Sequence, residues 1–394
     1  MPWRETSAMD ERLRFVQDVH RPGWSIAELC RRYGVSRKTG YKWLRAYEHA
    51  GPAGLMDGSH RPRACPHATP PEVMTLILQL QRRYTWGARK VRRLLMSRIP
   101  AEQVPTKTTV HRILERHGRV RPRRRSQRRF HGGPPGTPMD HPNAVWTADF
   151  KGHFRTGDGR YCYPLTSQDG ASRFLLGCRG LLGPTTEASW PVFRRLFQRY
   201  GLPERIRTDN GAPFASHALG RLSTLSVWWI RLGIRPELIE PAHPEQNGRH
   251  ERMHRTLKAA TARPPQQDLG AQQRRFDRFR QEYNTERPHE ALADATPASC
   301  YGSSPRPYPS QLGPLEYPGH FERRRVSRNG GIRWTHRWVN VSHLLAELEI
   351  GFEEIDDGLW DVHFGPVWLG RFHEEVGTII DRLGRSVRGP HGHL

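Results

Sequence analysis

The chain has 394 residues, of which 36% are hydrophobic, enough for several domains with apolar cores. Its formal net charge is +24, and residues 1–140 contribute 29 Lys and Arg against 11 Asp and Glu, a surplus of 18. This imbalance indicates a polyanionic partner, and we expect a cytoplasmic protein because the chain shows neither an apolar signal segment nor a long apolar run.

Cysteine and histidine give no sign of disulfides or of a structural metal site. The five cysteines are scattered, and no two of them have the spacing of zinc ligands. Most of the 21 histidines stand in polar contexts, where a position on the surface is the default expectation.

Residues 25–47, SIAELCRRYGVSRKTGYKWLRAY, predict two short helices around a glycine turn. Ser25 and Glu28 have the S-x-x-E spacing of a capping box and begin the first helix. Gly34 ends that helix, and Ser36 caps the second one. A basic second helix after such a turn is typical of a helix-turn-helix that enters the DNA major groove, although an ordinary helical hairpin has the same outline.

The second of these helices carries the predicted DNA contacts. Its basic residues, which should project towards DNA, are Arg37, Lys38 and Lys42. Its apolar residues, which should pack inwards, are Tyr41, Trp43 and Leu44. Gly40 weakens the prediction because a glycine inside a helix costs about 1 kcal/mol relative to alanine.

A second helix-turn-helix is predicted over residues 71–120. Residues 71–83 and 88–98 have helical spacing, and a third helix begins after Thr106 and ends at Gly118. The outward residues of that third helix, as candidate DNA contacts, are Lys107, His111 and Arg112. A plain helical bundle is the alternative.

Two linkers flank this region. Residues 59–70 are rich in Gly and Pro. Residues 121–143 begin with an arginine cluster and continue as a Pro/Gly spacer, and a solvated tail is the usual role of such a run. We expect Arg123, Arg124 and Arg125 to become ordered on DNA phosphates.

From Val145 onwards the pattern changes to strands that alternate with helices. Three strand-like segments predict an antiparallel meander, and a helix, a strand, a helix over roughly residues 216–232 and another strand follow. A basic helix then begins near Gly248. This order describes an α/β sheet of the ribonuclease H type.

Two aspartates occupy strand positions where a carboxylate is disfavoured. Asp149 interrupts an apolar strand and Asp209 ends the segment RIRTDNG; alone, a salt bridge would explain the first and a turn the second. Together they suggest a pair of Mg²⁺ ions, which carboxylates and phosphate oxygens bind in phosphodiester chemistry. Such a site needs a further acid, and HPEQNGRHER offers Glu245 and Glu251. Asn210 is expected to hold the turn rather than a metal.

Four motifs resemble the integrase catalytic core of DDE transposases and retroviral integrases. They are WTADF, RTDNGAPF, HPEQNGRHERMHRTLK and YNTERPHEAL, and they span residues 145–300 in this order. The tandem helix-turn-helix prediction is similar to bacterial insertion-sequence transposases. The resemblance implies that Asp149, Asp209 and one glutamate hold two Mg²⁺ (or Mn²⁺) ions for DNA cleavage and strand transfer.

Two arguments choose differently between the glutamates. The family often has 35 residues between the second aspartate and the glutamate, and 35 residues lie between Asp209 and Glu245. However, the family's glutamate also follows a glycine by three residues, as Glu251 follows Gly248. Glu251 would lie in the first turn of a helix, a rigid position favoured by the helix dipole, whereas Glu245 falls in a loop. We therefore assign Glu251, and we attribute the broken count to extra residues after Asp209.

The resemblance also suggests supporting residues. Asn247 and His243 would shape the loop at the active site, with Asn247 as a candidate DNA contact. Arg255 and Lys258 follow Glu251 at helical spacing and would hold DNA phosphates near the metal ions. The apolar face of the same helix is predicted to carry Met253, Leu257 and Ala260.

The C-terminal third predicts a smaller all-β domain. The motif YNTERPHEAL is expected to be structural, although its His and Glu could bind a metal. A Pro-rich linker covers residues 301–322, and short strands follow over residues 323–380. A small β-barrel similar to the C-terminal DNA-binding domain of integrases is expected there, and an oligomerisation module has the same pattern.

The predicted fold class is therefore multidomain: α-helical helix-turn-helix domains, a central α/β ribonuclease H-like integrase core and a small C-terminal β-barrel. The domains are predicted over residues 1–58, 71–120, 144–300 and 323–380, with linkers at 59–70, 121–143 and 301–322. We expect a nucleoid-associated, homo-oligomeric transposase that acts on terminal inverted repeats and target DNA. A non-catalytic regulator derived from a transposase and a ribonuclease H-like nuclease are the alternatives.

Overall fold

The computed structural model describes residues 7–59, 68–120, 136–240, 243–382 and 384–386. The chain divides into two compact units, Met1–Pro70 and Pro71–Leu394. Throughout the described ranges, no helix combines the length and the apolar character that crossing a membrane requires.

The first unit is a three-helix domain with α1 (Ala8–Val19), α2 (Ile26–Arg32) and α3 (Arg37–Ala50). The predicted capping box at the start of α2 is confirmed, and Ser36 caps α3 by accepting a hydrogen bond from the Thr39 N–H. The domain's small apolar core consists of Phe15, Val16, Leu29, Cys30, Leu44 and Leu55. The two helices around the turn are therefore held together by α1.

Two positions on α3 differ from their sequence-based interpretation. Tyr41 was expected to pack inwards, but its side chain is 47% exposed on the same surface as Arg37, Lys38 and Lys42. It therefore adds an aromatic ring to the predicted DNA-binding surface. Gly40, which seemed unfavourable in a helix, is buried where α3 meets α2.

Gly40→Ala is expected to destabilise the first unit. A Cβ at position 40 would lie 2.6 Å from the Cys30 Sγ and 3.0 Å from the Phe15 Cζ. The gain of about 1 kcal/mol in helix propensity is offset by an overpacking cost of about 1–3 kcal/mol. Thermal unfolding of the full chain measures the effect, and the cost should shrink in a Cys30→Ala background. An equal cost in both backgrounds would contradict the packing explanation.

The second unit begins with three more helices, α4 (Pro71–Tyr84), α5 (Ala88–Leu95) and α6 (Lys107–Arg116). They enclose a separate apolar core, and Thr106 caps α6 as predicted. The connection between α5 and α6 runs from residue 96 to 106 and contains a 3-10 turn, so it is longer than the usual tight turn of a helix-turn-helix.

A mixed sheet forms the centre of the second unit. Its strands are β1 (Val145–Phe150), β2 (Phe154–Arg155), β3 (Tyr161–Asp169), β4 (Leu175–Leu181), β5 (Arg205–Thr208) and β6 (Arg235–Leu238). The main order is β4-β3-β1-β5-β6: β3 is antiparallel to β4 and β1, whereas β5 is parallel to β1 and β6. The short β2 pairs with the beginning of β3. The predicted antiparallel meander and α/β core are thus confirmed.

Four helices cover this sheet: α7 (Thr186–Tyr200), α8 (Thr224–Arg231), α9 (Gly248–Thr261) and α10 (Leu269–Thr285). Trp146 and Ala148 of β1 belong to the core formed with α7 and α8. Thr147 and Asp149 alternate with them along the strand and so point to the opposite face, where α9 lies. The alternation therefore places the carboxylate of Asp149 beside α9.

The motif YNTERPHEAL makes structural contacts at the end of α10. Asn284 exchanges two hydrogen bonds with the backbone of Leu175 in β4. Glu286 accepts a hydrogen bond from the Tyr84 hydroxyl, and Arg287 lies 5.4 Å from the ring centre of Trp86. The motif therefore connects the central sheet to the helices α4–α6.

The C-terminal strands are β7 (Glu322–Arg325), β8 (Gly331–Trp334), β9 (Arg337–Asn340), β10 (Glu349–Asp356), β11 (Leu359–Phe364), β12 (Val367–His373) and β13 (Thr378–Ile380). A closed barrel is not confirmed. The strands form an open antiparallel sheet, β13-β12-β11-β10-β7, and a separate hairpin, β8-β9. Their core is completed by Leu219, Leu222, Val227 and Ile230 from the central domain, so apolar surface is covered by packing rather than by strand closure.

Candidate active site

Asp149 lies near the end of β1, opposite Thr166 of β3. Its side chain is only 18% exposed. Burial, together with the nearby charges of Asp209 and Glu251, raises the pKa of Asp149 to about 7, although Lys151 acts in the opposite direction. The three predicted acids therefore share one electrostatic environment.

Asp209 follows β5, the strand parallel to β1, so the two aspartates come from neighbouring strand ends. Burial raises the pKa of Asp209, while a hydrogen bond from the Gly211 N–H, 3.2 Å from Oδ1, acts in the other direction. The Asn210 side chain donates to the Ile239 carbonyl at 2.8 Å. Asn210 thus holds the turn, as expected from the sequence.

Glu251 lies in the first turn of α9 and is exposed. The start of this helix is fixed from two sides. The buried Arg207 pairs with Glu237 and donates to the Gln246 carbonyl, and Arg249 donates to the Gly170 carbonyl. Glu245 belongs to the short 3-10 turn Pro244–Asn247 that precedes α9. The two glutamates therefore stand on different elements.

Two buried histidines of α9 were missed by the sequence analysis. The Thr166 hydroxyl is 2.7 Å from the His250 Nε2 and 2.6 Å from the His254 Nε2, and Thr147 is 2.7 Å from the His250 Nδ1. The His254 Nδ1 lies 3.6 Å from an Asp149 oxygen. This network connects α9 to β1 and β3 beneath the acids.

Their burial overturns the expectation of surface histidines. Burial lowers the pKa of His250 to about 3 and also lowers that of His254, so both rings are neutral near pH 7. The signal was present in the sequence: residues 250, 254, 257 and 261 have helical spacing, and all four are buried. The predicted apolar face was correct at Met253 and Leu257 but wrong at Ala260, which is exposed.

Two sets of side chains fit a cation here. Ligand atoms of Asp149, His250 and His254 lie within 4.8 Å of one another. However, Thr147 and Thr166 already engage three of the four ring nitrogens, which leaves the His254 Nδ1 towards Asp149. The carboxylates of Asp149, Asp209 and Glu251 offer the oxygen ligands that Mg²⁺ and Mn²⁺ prefer. The charges of Asp209 and Glu251 raise the pKa of Asp149, which shows that the carboxylates repel one another. A divalent cation between them would relieve this repulsion.

The pKa of Asp149 predicts a pH-dependent effect on stability. In the metal-free protein, the folded state holds this proton up to about pH 7, and the ordinary pKa is 3.8. The resulting stabilisation is present below pH 3.8 and is lost as the pH rises through 7. Asp149→Asn should therefore unfold at a higher temperature than the unmutated chain at pH 8, by up to about 4 kcal/mol in stability. The difference should nearly vanish at pH 4.

Calorimetry at several pH values, with EDTA present, checks this expectation. Asp277→Asn, at an exposed position on α10, is the matched control for the same chemical change without burial. Adding Mg²⁺ should then stabilise the unmutated chain more than Asp149→Asn, because a ligand stabilises the state that binds it. A constant difference between pH 4 and 8 would contradict the burial of a protonated carboxyl.

The predicted DNA contacts fall into three groups. Seven have exposed side chains: Arg37, Lys38, Lys42, Lys107, Arg112, Arg255 and Lys258. Asn247 is buried, 5% exposed, and its Oδ1 has no hydrogen-bond partner among the described residues. Arg123, Arg124 and Arg125 lie outside the described residues. The contact role of each residue stays a prediction.

Family models match the chain in four places. A helix-turn-helix domain matches residues 11–63, and a homeodomain-like domain matches residues 39–114. Two models described as integrase core domains match residues 139–244 and 232–297. The integrase matches thus include all three acids of the candidate site.

Solved structures of viral integrases are also similar to parts of the chain. The magnesium complex of the HTLV-2 integrase catalytic core domain, in its trimeric form, shares 16% identity over 41% of this chain and 97% of its own, with a TM-score of 0.33. An intasome of simian T-cell lymphotropic virus in complex with a PP2A regulatory subunit shares 15% identity over 74% and 97%, with a TM-score of 0.37. The BIV integrase catalytic core shares 20% identity over 40% and 93%, with a TM-score of 0.31.

These TM-scores are too low to support an argument, so the assignment depends on the family models and on the motifs that they cover. Helix-turn-helix and integrase core domains indicate DNA binding and a role in DNA recombination. The chain is therefore an integrase-like transposase, with helix-turn-helix domains at its N-terminal end and an integrase core at its centre.

Proposed function

We propose that this protein is the DNA strand transferase of a mobile element. It binds the terminal inverted repeats through its helix-turn-helix domains, cleaves DNA there and joins the exposed 3′ end to target DNA. The observation that carries the proposal is the shared environment of Asp149, Asp209 and Glu251, where the neighbouring strands β1 and β5 end beside the first turn of α9. Three acids at one place fit a divalent-metal site for phosphoryl chemistry.

In this proposal Asp149, Asp209 and Glu251 hold two Mg²⁺ (or Mn²⁺) ions. When bound, the ions would activate the attacking oxygen and stabilise charge on the leaving oxygen. In the first step water attacks phosphorus, the P–O3′ bond breaks and a 3′-hydroxyl is released. In the second, that hydroxyl attacks a target phosphodiester and releases a target 3′-hydroxyl. Both steps are displacements at phosphorus, so one site serves both.

The remaining residues of the site have supporting roles. Asp149 must lose its proton before it can act as a ligand, and the positive charge of Lys151 favours that loss. The exposed Arg255 and Lys258 on α9 follow Glu251 by one and two turns and can hold DNA phosphates. His254 lies against Asp149 and supports the position of its carboxylate.

Several features of the assembly also belong to this proposal. It includes the domain boundaries given above. It also includes contacts between the arginines at 123–125 and DNA phosphates, and a homo-oligomer on DNA. A symmetric oligomer would allow one protein to bring two element ends together. Element ends and target DNA are the two classes of DNA partner.

A strand-transfer reaction tests the function. The full chain is incubated with Mg²⁺, a supercoiled target plasmid and labelled fragments from the DNA on either side of its gene. Labelled ends covalently joined to the plasmid are expected. Cleavage without joining would favour a ribonuclease H-like nuclease. Specific end binding without cleavage would favour a DNA-binding regulator derived from a transposase.

A further inference from the structure

A patch of aromatic side chains lies on the β2–β3 hairpin and has no assigned role. The ring centre of His153 is 5.1 Å from that of Tyr161 and 5.1 Å from that of Tyr163, and the two tyrosine rings are 6.2 Å apart. His153 is exposed and Tyr161 is 41% exposed. The aromatic patch, as we call these three residues, therefore offers ring surface to solvent.

The hairpin fixes the patch but does not bury it. Phe154 and Arg155 of β2 pair with Cys162 and Tyr161 of β3. Cys162, between the two tyrosines, points to the opposite face and joins the core under α9 and α10. The tyrosines thus stand on the other side of the strand from that core, and Tyr161 in particular contributes little to burial.

Positive charge surrounds the rings. The Arg155 guanidinium lies 4.6 Å from the ring centre of Tyr161, and it donates to the Tyr161 hydroxyl at 2.9 Å. His153 also lines a cavity of about 200 Å³ that is shared with Lys151 and Lys258. Lys151 follows Asp149 by two residues, and Lys258 belongs to the helix that carries Glu251. The patch is thereby continuous with the basic side of the candidate active site.

We propose that the aromatic patch binds an unpaired base of the DNA strand that enters the active site. Flat rings beside cations suit a nucleobase with its phosphate, since bases stack on aromatic rings and on guanidinium planes. A base inside a duplex has no free face to offer, so the occupant is a single-stranded nucleotide. The identity of that strand rests on the proposed function. The binding of an unpaired base does not depend on it.

Binding to a flapped duplex tests the patch. The probes are a blunt duplex and the same duplex with a 3′ flap of thymidines that contains one 2-aminopurine, both in EDTA so that no chemistry occurs. The unmutated chain should bind the flapped probe more tightly and quench its fluorescence. Tyr161→Ala should weaken flap binding about tenfold, within the range known for one stacked base, and leave blunt binding unchanged. Tyr161→Phe should restore the preference.

A control variant and a crosslink make the result specific. Trp338→Ala removes an aromatic residue that is 46% exposed on β9 and should leave the flap preference intact. A flap with 5-iodouracil should crosslink, in the unmutated chain, to the peptide that contains Tyr161, which requires no mutant to fold.

Three results would overturn the proposal: no preference for the flapped probe, equal weakening of both probes by Tyr161→Ala, or crosslinks that avoid the hairpin. A chain that prefers the flap but never joins DNA strands would refute the proposed function and leave the patch standing. A chain that joins strands but shows no flap preference would refute the role of the aromatic patch and leave the proposed function standing.

Discussion

Asp149→Asn is expected to abolish strand transfer, lowering its rate at least about a thousandfold, while binding to element ends stays unchanged. The substitution keeps the shape of the side chain but removes the negative charge that a divalent ion requires. Metal ions contribute several kcal/mol to the stabilisation of charge in phosphoryl transfer, and each 1.36 kcal/mol is a factor of ten in rate. Asp149 is the most buried of the three acids, so no second ligand can easily replace it.

Joined products, counted in the presence of Mg²⁺, measure this effect, and a gel-shift experiment with the end fragment measures binding. Asp277→Asn should match the unmutated chain in both experiments. If Asp149→Asn joined DNA at the normal rate, the acids would not be the metal ligands. If it failed to bind ends as well, the loss would be one of folding rather than of chemistry.

The sequence singles out Asp149 because it breaks a local rule, and Asp209 because it follows a neighbouring strand. A carboxylate on an apolar strand is unfavourable, and the sheet places these two strands side by side in parallel. Local pattern thus indicated both acids before any distance was known. His250 and His254 break no such rule individually. Their helical spacing with Leu257 and Thr261 could have indicated burial, but their partners, the hydroxyls of Thr147 and Thr166, are known only once α9 is placed on the sheet.

Three helix starts were predicted correctly because caps are local interactions, whereas the helix expected from about residue 216 begins only at Thr224. Ser25, Ser36 and Thr106 each accept the backbone hydrogen bond expected of a cap. Contacts between elements could not be predicted in this way. Gly40 is understood only from its distance to Cys30, and the open C-terminal sheet only from the apolar residues that the central domain adds to it.

We propose that the same packing accounts for the broken residue count between the second aspartate and the glutamate. Leu219 and Leu222 lie between β5 and α8, where they pack with the C-terminal strands. Gly220, at a φ of +62°, lies against Leu369 of β12. Residues in this interval therefore serve a contact with another part of the chain. A count along the sequence would include the residues that serve this contact, and this is the reason we propose for a count of 35 that ends at Glu245, before α9.

Glu251→Gln is expected to reduce strand transfer about as strongly as Asp149→Asn, whereas Glu245→Gln should be nearly silent. Glu251 projects from a helix that Arg207, Arg249 and the buried histidine network hold in place, and its charge reaches Asp149. Glu245 lies on the preceding turn, outside the helix that these contacts hold. A metal ligand must be held rigidly, because small displacements of a ligand cost much of its effect.

The two glutamine variants form a matched pair, since each replaces one carboxylate by an amide within the same segment. Strand transfer at a range of Mg²⁺ concentrations separates them: a lost ligand raises the required concentration or abolishes activity, while a change outside the metal site does neither. Replacing Mg²⁺ by Mn²⁺, which also prefers oxygen ligands, tests whether a weakened site regains activity with the second metal. Full activity of Glu251→Gln together with an inactive Glu245→Gln would reverse the assignment. The catalytic glutamate would then be Glu245, as the interval of 35 residues after Asp209 predicts.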